Sequence, residues 1–311
     1  VGGGLSIAVI GTGALGGYYG ARLAQAGCEV HFLCHRDGAT IREKGLLVES
    51  VGRSLLYLRA QAYDRVEDMP RCDVVMVALK TTANHLLSML LPPVIKPDGA
   101  VLVMQNGLDV EAETAAAVPG VVVVGGLCFL CANKPGPGHV VHVDYGTVKL
   151  GWHRGSGEAG AADRHLARIS AALGEAHIEV DVLDDLRRAR WMKLVWNIPY
   201  NGLSVVHRAT TDVLMADPAI RVTVEALMRE VQAVAVAAGY PIEDAFVQKM
   251  LDDTVRMKPY KTSMLLDAEA GRRLEIATMH ERPLRVAERL GVEVPQLRAL
   301  WEQLQQLDRD D

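Results

Sequence analysis

The pattern of apolar and polar positions changes character a little past the middle of the chain. In the first part, short apolar runs alternate with stretches of helical spacing. Residues 5–10 form an apolar run of strand length, and residues 14–26 carry a helical pattern that stops at Gly27, a residue suited to a helix C-terminus. Residues 29–33, 73–79 and 100–104 repeat the short apolar run. The stretch Asp73-Val74-Val75-Met76-Val77-Ala78-Leu79 is almost unbroken, as a strand covered on both faces must be. Strand and helix in alternation predict a parallel sheet with right-handed crossovers. From Val121 the texture shifts. Residues 121–131, 139–143 and 147–151 read as antiparallel strands around the turn-rich Asn133-Lys134-Pro135-Gly136-Pro137-Gly138. A helix at 161–175 and a strand at 177–182 complete this part.

Past Asp185 the strand pattern ends. Helical spacing covers residues 186–207, 217–238, 243–251, 275–290 and 296–307, with Pro295 placed where a first-turn proline fits. These patterns predict an α/β domain over residues 1–184 and an all-α domain over residues 185–311.

Composition narrows the function classes. A chain of 311 residues suits two domains at roughly 150 residues each. Half of it is apolar and 23% charged, which is globular rather than disordered composition. A net charge of -5 lacks the basic excess that phosphate neutralisation requires, and 5% aromatics leave few stacking platforms, so nucleic acid is not the expected partner. Five cysteines, an odd count, argue against a disulfide scaffold. No apolar run reaches the ~20 residues of a membrane-spanning helix. The apolar start has no basic segment before it and runs into Gly11-Thr12-Gly13, which reads as a first strand rather than a signal peptide and predicts a cytoplasmic protein.

The chemistry begins at Gly11-Thr12-Gly13-Ala14-Leu15-Gly16, a G-x-G-x-x-G that follows a strand and opens a helix. Gly11 suits the tight turn, Gly13 a close approach to a pyrophosphate and Gly16 close packing of helix on sheet; Ala14 and Leu15 supply helix N-terminal N–H groups. This context predicts a Rossmann-type dinucleotide-binding domain. A reader of the NAD ribose would be an acid at the end of the second strand. Here stands Cys34-His35-Arg36, and the Arg36 guanidinium suits the 2′-phosphate of NADP. Asp37, one position later, fits a helix cap.

In the helical part, Lys193, Asn197 and Asn201 recur every four residues and share one face of a helix that is otherwise apolar. Spacing alone leaves two readings open, an exposed polar face or the wall of a polar cleft. Pro199 removes one helical hydrogen bond there. Cys128-Phe129-Leu130-Cys131 lies in a strand-like run and suits neither a redox turn nor a metal site.

Several motifs together resemble the ketopantoate reductase family over nearly the whole length. They are the glycine loop, Ala78-Leu79-Lys80-Thr81, Gln105-Asn106-Gly107, Lys193-x3-Asn197-x3-Asn201, Thr262-Ser263-Met264-x2-Asp267 and Gly271-Arg272-x2-Glu275-Ile276. The resemblance implies a Rossmann domain that binds NADPH, followed by a helical domain that supplies a catalytic lysine. It assigns Lys193 as general acid and Glu275 as the acid that holds substrate and lysine. It assigns Asn197, Asn201 and Ser263 to substrate, Lys80 and Arg36 to cofactor, and Asn106 to both. The activity it implies is NADPH-dependent reduction of a 2-keto acid, 2-dehydropantoate above all, on the way to pantothenate. The chain departs from the family pattern at Ala277, at residues 279–283 and at Thr211. These departures leave open a paralogue acting on another 2-keto acid; a nicotinamide-binding sensor without turnover is the reading from a different class. The sequence is compatible with a homodimer and does not set the oligomeric state.

Overall fold

The computed structural model describes residues 4–50 and 56–310. The chain divides into two compact units. The first holds Val1–Asn106 and Val110–Leu186; the second holds Gly107–Asp109 and Arg187–Asp311.

The first unit is built on one sheet. Its elements are β1 (Ser6–Ile10), α1 (Ala14–Gln25), β2 (Glu29–Leu33), α2 (Gly38–Lys44), β3 (Leu46–Ser50), β4 (Leu56–Leu58), β5 (Gln61–Tyr63), β6 (Cys72–Val77), α3 (Leu87–Leu90), β7 (Ile95–Val103), α4 (Val110–Ala117), β8 (Val122–Gly136), β9 (His139–Trp152), α5 (Ala159–Glu175) and β10 (Val180–Val182). The strands β5-β2-β1-β6-β7-β8 lie side by side and all parallel. This is the Rossmann order, in which the direction of winding reverses beside β1. The α/β expectation therefore holds, with a parallel sheet at its centre. Side chains alternate between two cores. Ile7 and Val9 of β1 join Phe32, Met76 and Leu102 on one face with Ile169 and Leu173 of α5. Ala8 and Ile10 join Val75, Val77 and Val101 on the other, with Leu87 and Val110. Burial on both faces is why these strands read as unbroken apolar runs.

Antiparallel pairing enters only beyond β8. The sequence pattern suggests two separate strands at 139–143 and 147–151. The structure instead has one strand, β9, paired with β8 along a long hairpin. Irregular register near Gly146 (φ 133°) and near Cys131 carries the strand through residues whose polarity looks like a break.

The second unit, among the described residues, is helical: α6 (Leu186–His207), α7 (Thr211–Ala216), α8 (Pro218–Ala237), α9 (Asp244–Arg256), α10 (Ser263–Glu269), α11 (Arg282–Leu290) and α12 (Pro295–Asp310). The expected 275–290 helix differs from a plain α-helix in its first part: Glu275 lies outside the helix, and a π-helical turn of five residues spans Ala277–Glu281 before α11. The core gathers Trp191, Leu194, Val195 and Ile198 of α6 against Leu227, Val231 and Leu297. Gly107–Asp109 belongs here because its polar groups end here. Leu108 N–H donates to Thr278 O (2.9 Å), Arg282 Nη1 donates to Leu108 O (2.8 Å), and Asp109 pairs with Arg187 (2.8 Å). No helix among the described residues is long and apolar enough to cross a membrane.

Candidate active site

The glycine loop joins β1 to α1. Gly11 has φ 103°, and a Cβ there would meet Leu79 N at 2.7 Å. A Cβ at Gly16 would fall 2.2 Å from Gly11 O, so only glycine lets the helix lie this close to the loop. At Gly13 the situation reverses: a Cβ would meet nothing within 4 Å. Gly13 is also the N-cap of α1, no side chain caps that end, and its first turn carries no acid. Ala14 and Leu15 begin the helix beside it, both half-buried. An open approach and uncapped N–H groups at a helix start are what a pyrophosphate needs, so the residues present fit a dinucleotide.

The rim of this loop is tied to its neighbours. Thr12 Oγ1 donates to Leu33 O (3.0 Å) at the end of β2, and Cys34 Sγ lies 3.5 Å from the same hydroxyl. Burial raises the Cys34 thiol pKa, and this hydrogen bond lowers it in part. Arg36 is exposed just beyond. Asp37 does not act as a side-chain cap for α2, the role its position suggests in the sequence. Its Oδ2 instead accepts from Lys134 Nζ (2.5 Å) and from Gly138 N–H (3.2 Å). A carboxylate with a cation and an amide in reach has no need of the weaker local cap.

Lys80, exposed, ends the stretch after β6, and half-buried Asn106 ends the stretch after β7. A chain of amides fixes the ground between them. Gln105 Nε2 donates to Leu79 O (2.9 Å) and to Asn84 Oδ1 (2.6 Å), while Asn84 Nδ2 donates to Glu113 Oε2 (2.9 Å). Asn84 and Glu113 escape sequence reasoning. Their signal is only a buried amide in a short 3₁₀ turn and an acid in the first turn of α4.

In the helical unit, α6 runs unbroken through Pro199. Asn197 and Asn201 are 7% and 4% exposed, which removes the reading of this stripe as a solvated polar face; Lys193, on the same face, is half-buried. Buried amides need partners. Asn201 Nδ2 donates to Asn197 O (3.0 Å), and Asn201 Oδ1 accepts from Met264 N–H (3.3 Å) and Ser263 Oγ (3.4 Å). Thr262 explains why α10 starts here. Its Oγ1 accepts Leu265 N–H as a helix cap (3.2 Å) and lies 2.6 Å from Ser204 Oγ of α6. The Thr262-Ser263 motif is thus the joint between α10 and α6. At the far end of α10, Asp267 binds Arg272 Nε (2.9 Å), with Gly271 at φ 59° making the turn. That turn leads to Glu275, which is 6% exposed and lies two residues before the π-helical segment. In that segment His280 is fully buried and its Nε2 bonds Ile198 O (3.2 Å) on α6. Burial drives its pKa down to about 4, against a smaller upward pull from that carbonyl. Among the described residues no cluster of three or more ligating side chains is arranged to hold a metal ion.

A Rossmann sheet with an open glycine loop, followed by a helical unit with a buried amide ladder, defines a nucleotide-dependent oxidoreductase of the two-unit kind. The family model "Ketopantoate reductase PanE/ApbA" matches residues 7–155, and its C-terminal counterpart matches residues 185–308. A 2-dehydropantoate 2-reductase from Nostoc sp. is 52% identical over 97% of this chain and 94% of its own length. The crystal structure of a 2-dehydropantoate 2-reductase from Geobacter metallireducens GS-15 superposes with a TM-score of 0.91 at 37% identity, covering 97% of this chain and 99% of that one. The Methylococcus capsulatus enzyme gives 0.87 at 32% identity, covering 98% and 97%. The chain belongs to the ketopantoate reductase family, and with it to the NADP-dependent oxidoreductases.

Proposed function

We propose that this chain reduces 2-dehydropantoate to pantoate with NADPH, and that Lys193 is the general acid. The observation that carries the reading is the ladder on α6. Lys193 shares a helix face with Asn197 and Asn201, both amides are buried, and Asn201 is tied to Ser263. A buried row of amides beside an ammonium suits a polar anion such as a 2-keto acid. NADPH, when bound, would supply the hydride that the carbonyl carbon accepts, leaving NADP⁺. Negative charge then grows on the carbonyl oxygen, where the Lys193 ammonium stabilises it and delivers a proton, leaving a neutral amine. Glu275 serves as the acid that holds substrate and lysine in place. Asn197, Asn201 and Ser263 orient the carboxylate and hydroxyl groups of the substrate. Gly11, Gly13, Ala14, Leu15 and Gly16 would receive the pyrophosphate and Arg36 the 2′-phosphate, with Lys80 and Asn106 among the residues that would hold the cofactor. In this division of labour residues 1–184 bind cofactor and residues 185–311 carry the acid. The same reading takes the protein as cytoplasmic, without nucleic-acid partners, and admits a homodimer, which sedimentation would measure.

The test follows NADPH consumption against a panel of 2-keto acids, with NADH in parallel. 2-Dehydropantoate should give the highest kcat/KM. Lys193→Ala should lower kcat by ~10²–10⁴-fold while NADPH binds as before. A Lys193→Ala enzyme with near wild-type kcat would remove the lysine from this role, and a better substrate elsewhere in the panel would replace 2-dehydropantoate.

A further inference from the structure

We propose that Lys134 is a positioning residue for cofactor choice: paired with Asp37 and Thr12, it withholds the buried carboxylate next to Arg36 from the ribose and keeps this end of the sheet receptive to a 2′-phosphate. The inference rests on the reading of Arg36 as the 2′-phosphate ligand.

In dinucleotide-binding sheets an acid at the end of the second strand accepts the ribose 2′-hydroxyl and thereby selects NAD. This chain has no acid at the strand end itself but one close by, in Asp37, one residue past Arg36 and four past the last residue of β2. Left alone, its negative charge would oppose the phosphate that Arg36 attracts. The structure shows how that charge is occupied. The Asp37 side chain is only 7% exposed, and its Oδ2 holds both the Lys134 ammonium (2.5 Å) and Gly138 N–H (3.2 Å). Lys134 stands near the end of β8 and Gly138 in the turn that leads into β9, both about a hundred residues away in the chain. The nearby cation Arg42 does not serve, because it is engaged with Asp64 Oδ2 (2.7 Å) and Ala62 O.

Lys134 does a second thing with the same ammonium. Nζ donates to Thr12 O at 2.6 Å, the carbonyl between Gly11 and Gly13. One residue therefore neutralises Asp37 and fixes a peptide of the pyrophosphate loop. Two of its three N–H bonds are used in this way, and the side chain remains 25% exposed. An arginine can preserve the pairing; an apolar residue of similar length cannot.

The experiment measures dissociation constants by calorimetry, without turnover, for 2′,5′-ADP and 5′-AMP, fragments that differ by the 2′-phosphate alone. Lys134→Met should weaken 2′,5′-ADP by ~10–100-fold and leave AMP within a few-fold, with the gap closing as salt rises. Lys134→Arg should retain the wild-type preference. Adding Asp37→Asn to Lys134→Met should recover most of the lost 2′,5′-ADP affinity, which a purely structural lysine would not allow. Equal weakening of both fragments, or no recovery in the double variant, overturns the proposal. If Lys134→Met does not fold, Asp37→Asn alone decides: 2′,5′-ADP should bind as well or better, and weaker binding overturns the proposal. Arg36→Ala separates the two ideas. If it leaves 2′,5′-ADP binding unchanged, the reading of Arg36 is wrong and this proposal falls with it. If it weakens 2′,5′-ADP while Lys134→Met does not, only the role of Lys134 is lost.

Discussion

In the α/β unit, the residues proposed to meet the dinucleotide stand at the ends of parallel strands, and much of what they offer is backbone. In the helical unit, those proposed to meet the keto acid are side chains drawn from α6, from the start of α10 and from the segment that ends at Glu275. The first arrangement depends on what is missing, a Cβ at Gly11, Gly13 and Gly16. The second depends on what is present and paired, as when Asn201 bridges Asn197 to Ser263 and Met264. A backbone site should therefore fail when atoms are added, and a side-chain site when hydrogen bonds are removed. The two should also fail in different observables.

The sharpest way to break this contrast is Gly16→Val. Its Cβ would lie 2.2 Å from a backbone oxygen, which no rotamer change relieves. NADPH and NADH affinity should both drop by more than ~100-fold, since each dinucleotide uses the same loop; near wild-type binding in a titration would show that the loop does not hold the pyrophosphate. In the helical unit the largest effect should come from His280 and appear in stability. Its pKa falls from 6.5 in the unfolded chain to about 4 in the fold. Between those values the unfolded state binds the proton and the native state does not, so this contribution is complete above about pH 6.5 and is lost as pH falls toward 4. The loss amounts to about 3 kcal/mol at most. Urea midpoints from pH 7 to 4.5 should fall more steeply for the wild type than for His280→Gln; parallel profiles would exclude His280 as the source.

Arg36→Ala should come next. A charge-assisted hydrogen bond is worth ~1.5–3 kcal/mol, so KM for NADPH should rise by about one to two orders of magnitude with NADH unaffected. If the wild type already uses NADH as well as NADPH, Arg36 does not set the preference. The smallest effect expected is that of Thr262→Val, which removes the cap of α10 and its bond to Ser204. It should cost about 1–2 kcal/mol, read as a lower Tm, and raise KM for the keto acid more than KM for NADPH through displacement of Ser263. An unchanged keto-acid KM would separate the α10 joint from the substrate.

What the sequence made legible follows the same division. β1, β2 and α6 announce themselves because each is a contiguous run with one period, and the glycine loop because its spacing is local. The face shared by Lys193, Asn197 and Asn201 is equally plain, yet its burial is not, since polar residues at helical spacing look the same in a cleft and in water. In the sequence β9 reads as two strands parted at Asp144-Tyr145-Gly146, where in the structure a bulge rather than a turn accommodates the polar residues. Asp37 looked like a cap because a cap is a local event, whereas its partner Lys134 is 97 positions away. Asn84 and Glu113 give no warning for the same reason: their meaning lies in Gln105, which a different strand delivers.

The strap Gly107–Asp109 has a consequence for the order in which the protein is made. The groups that receive it, Thr278 and Arg282, lie 170 or more positions downstream. At ~5–20 residues per second, a ribosome takes on the order of ten to thirty-five seconds to deliver them after Leu108 has emerged. During that interval the nascent sheet is free to form around the strands already synthesised, while Leu108, fully buried in the finished fold, waits for a unit that does not yet exist. The helical unit is therefore completed by a piece of chain made before its own first helix.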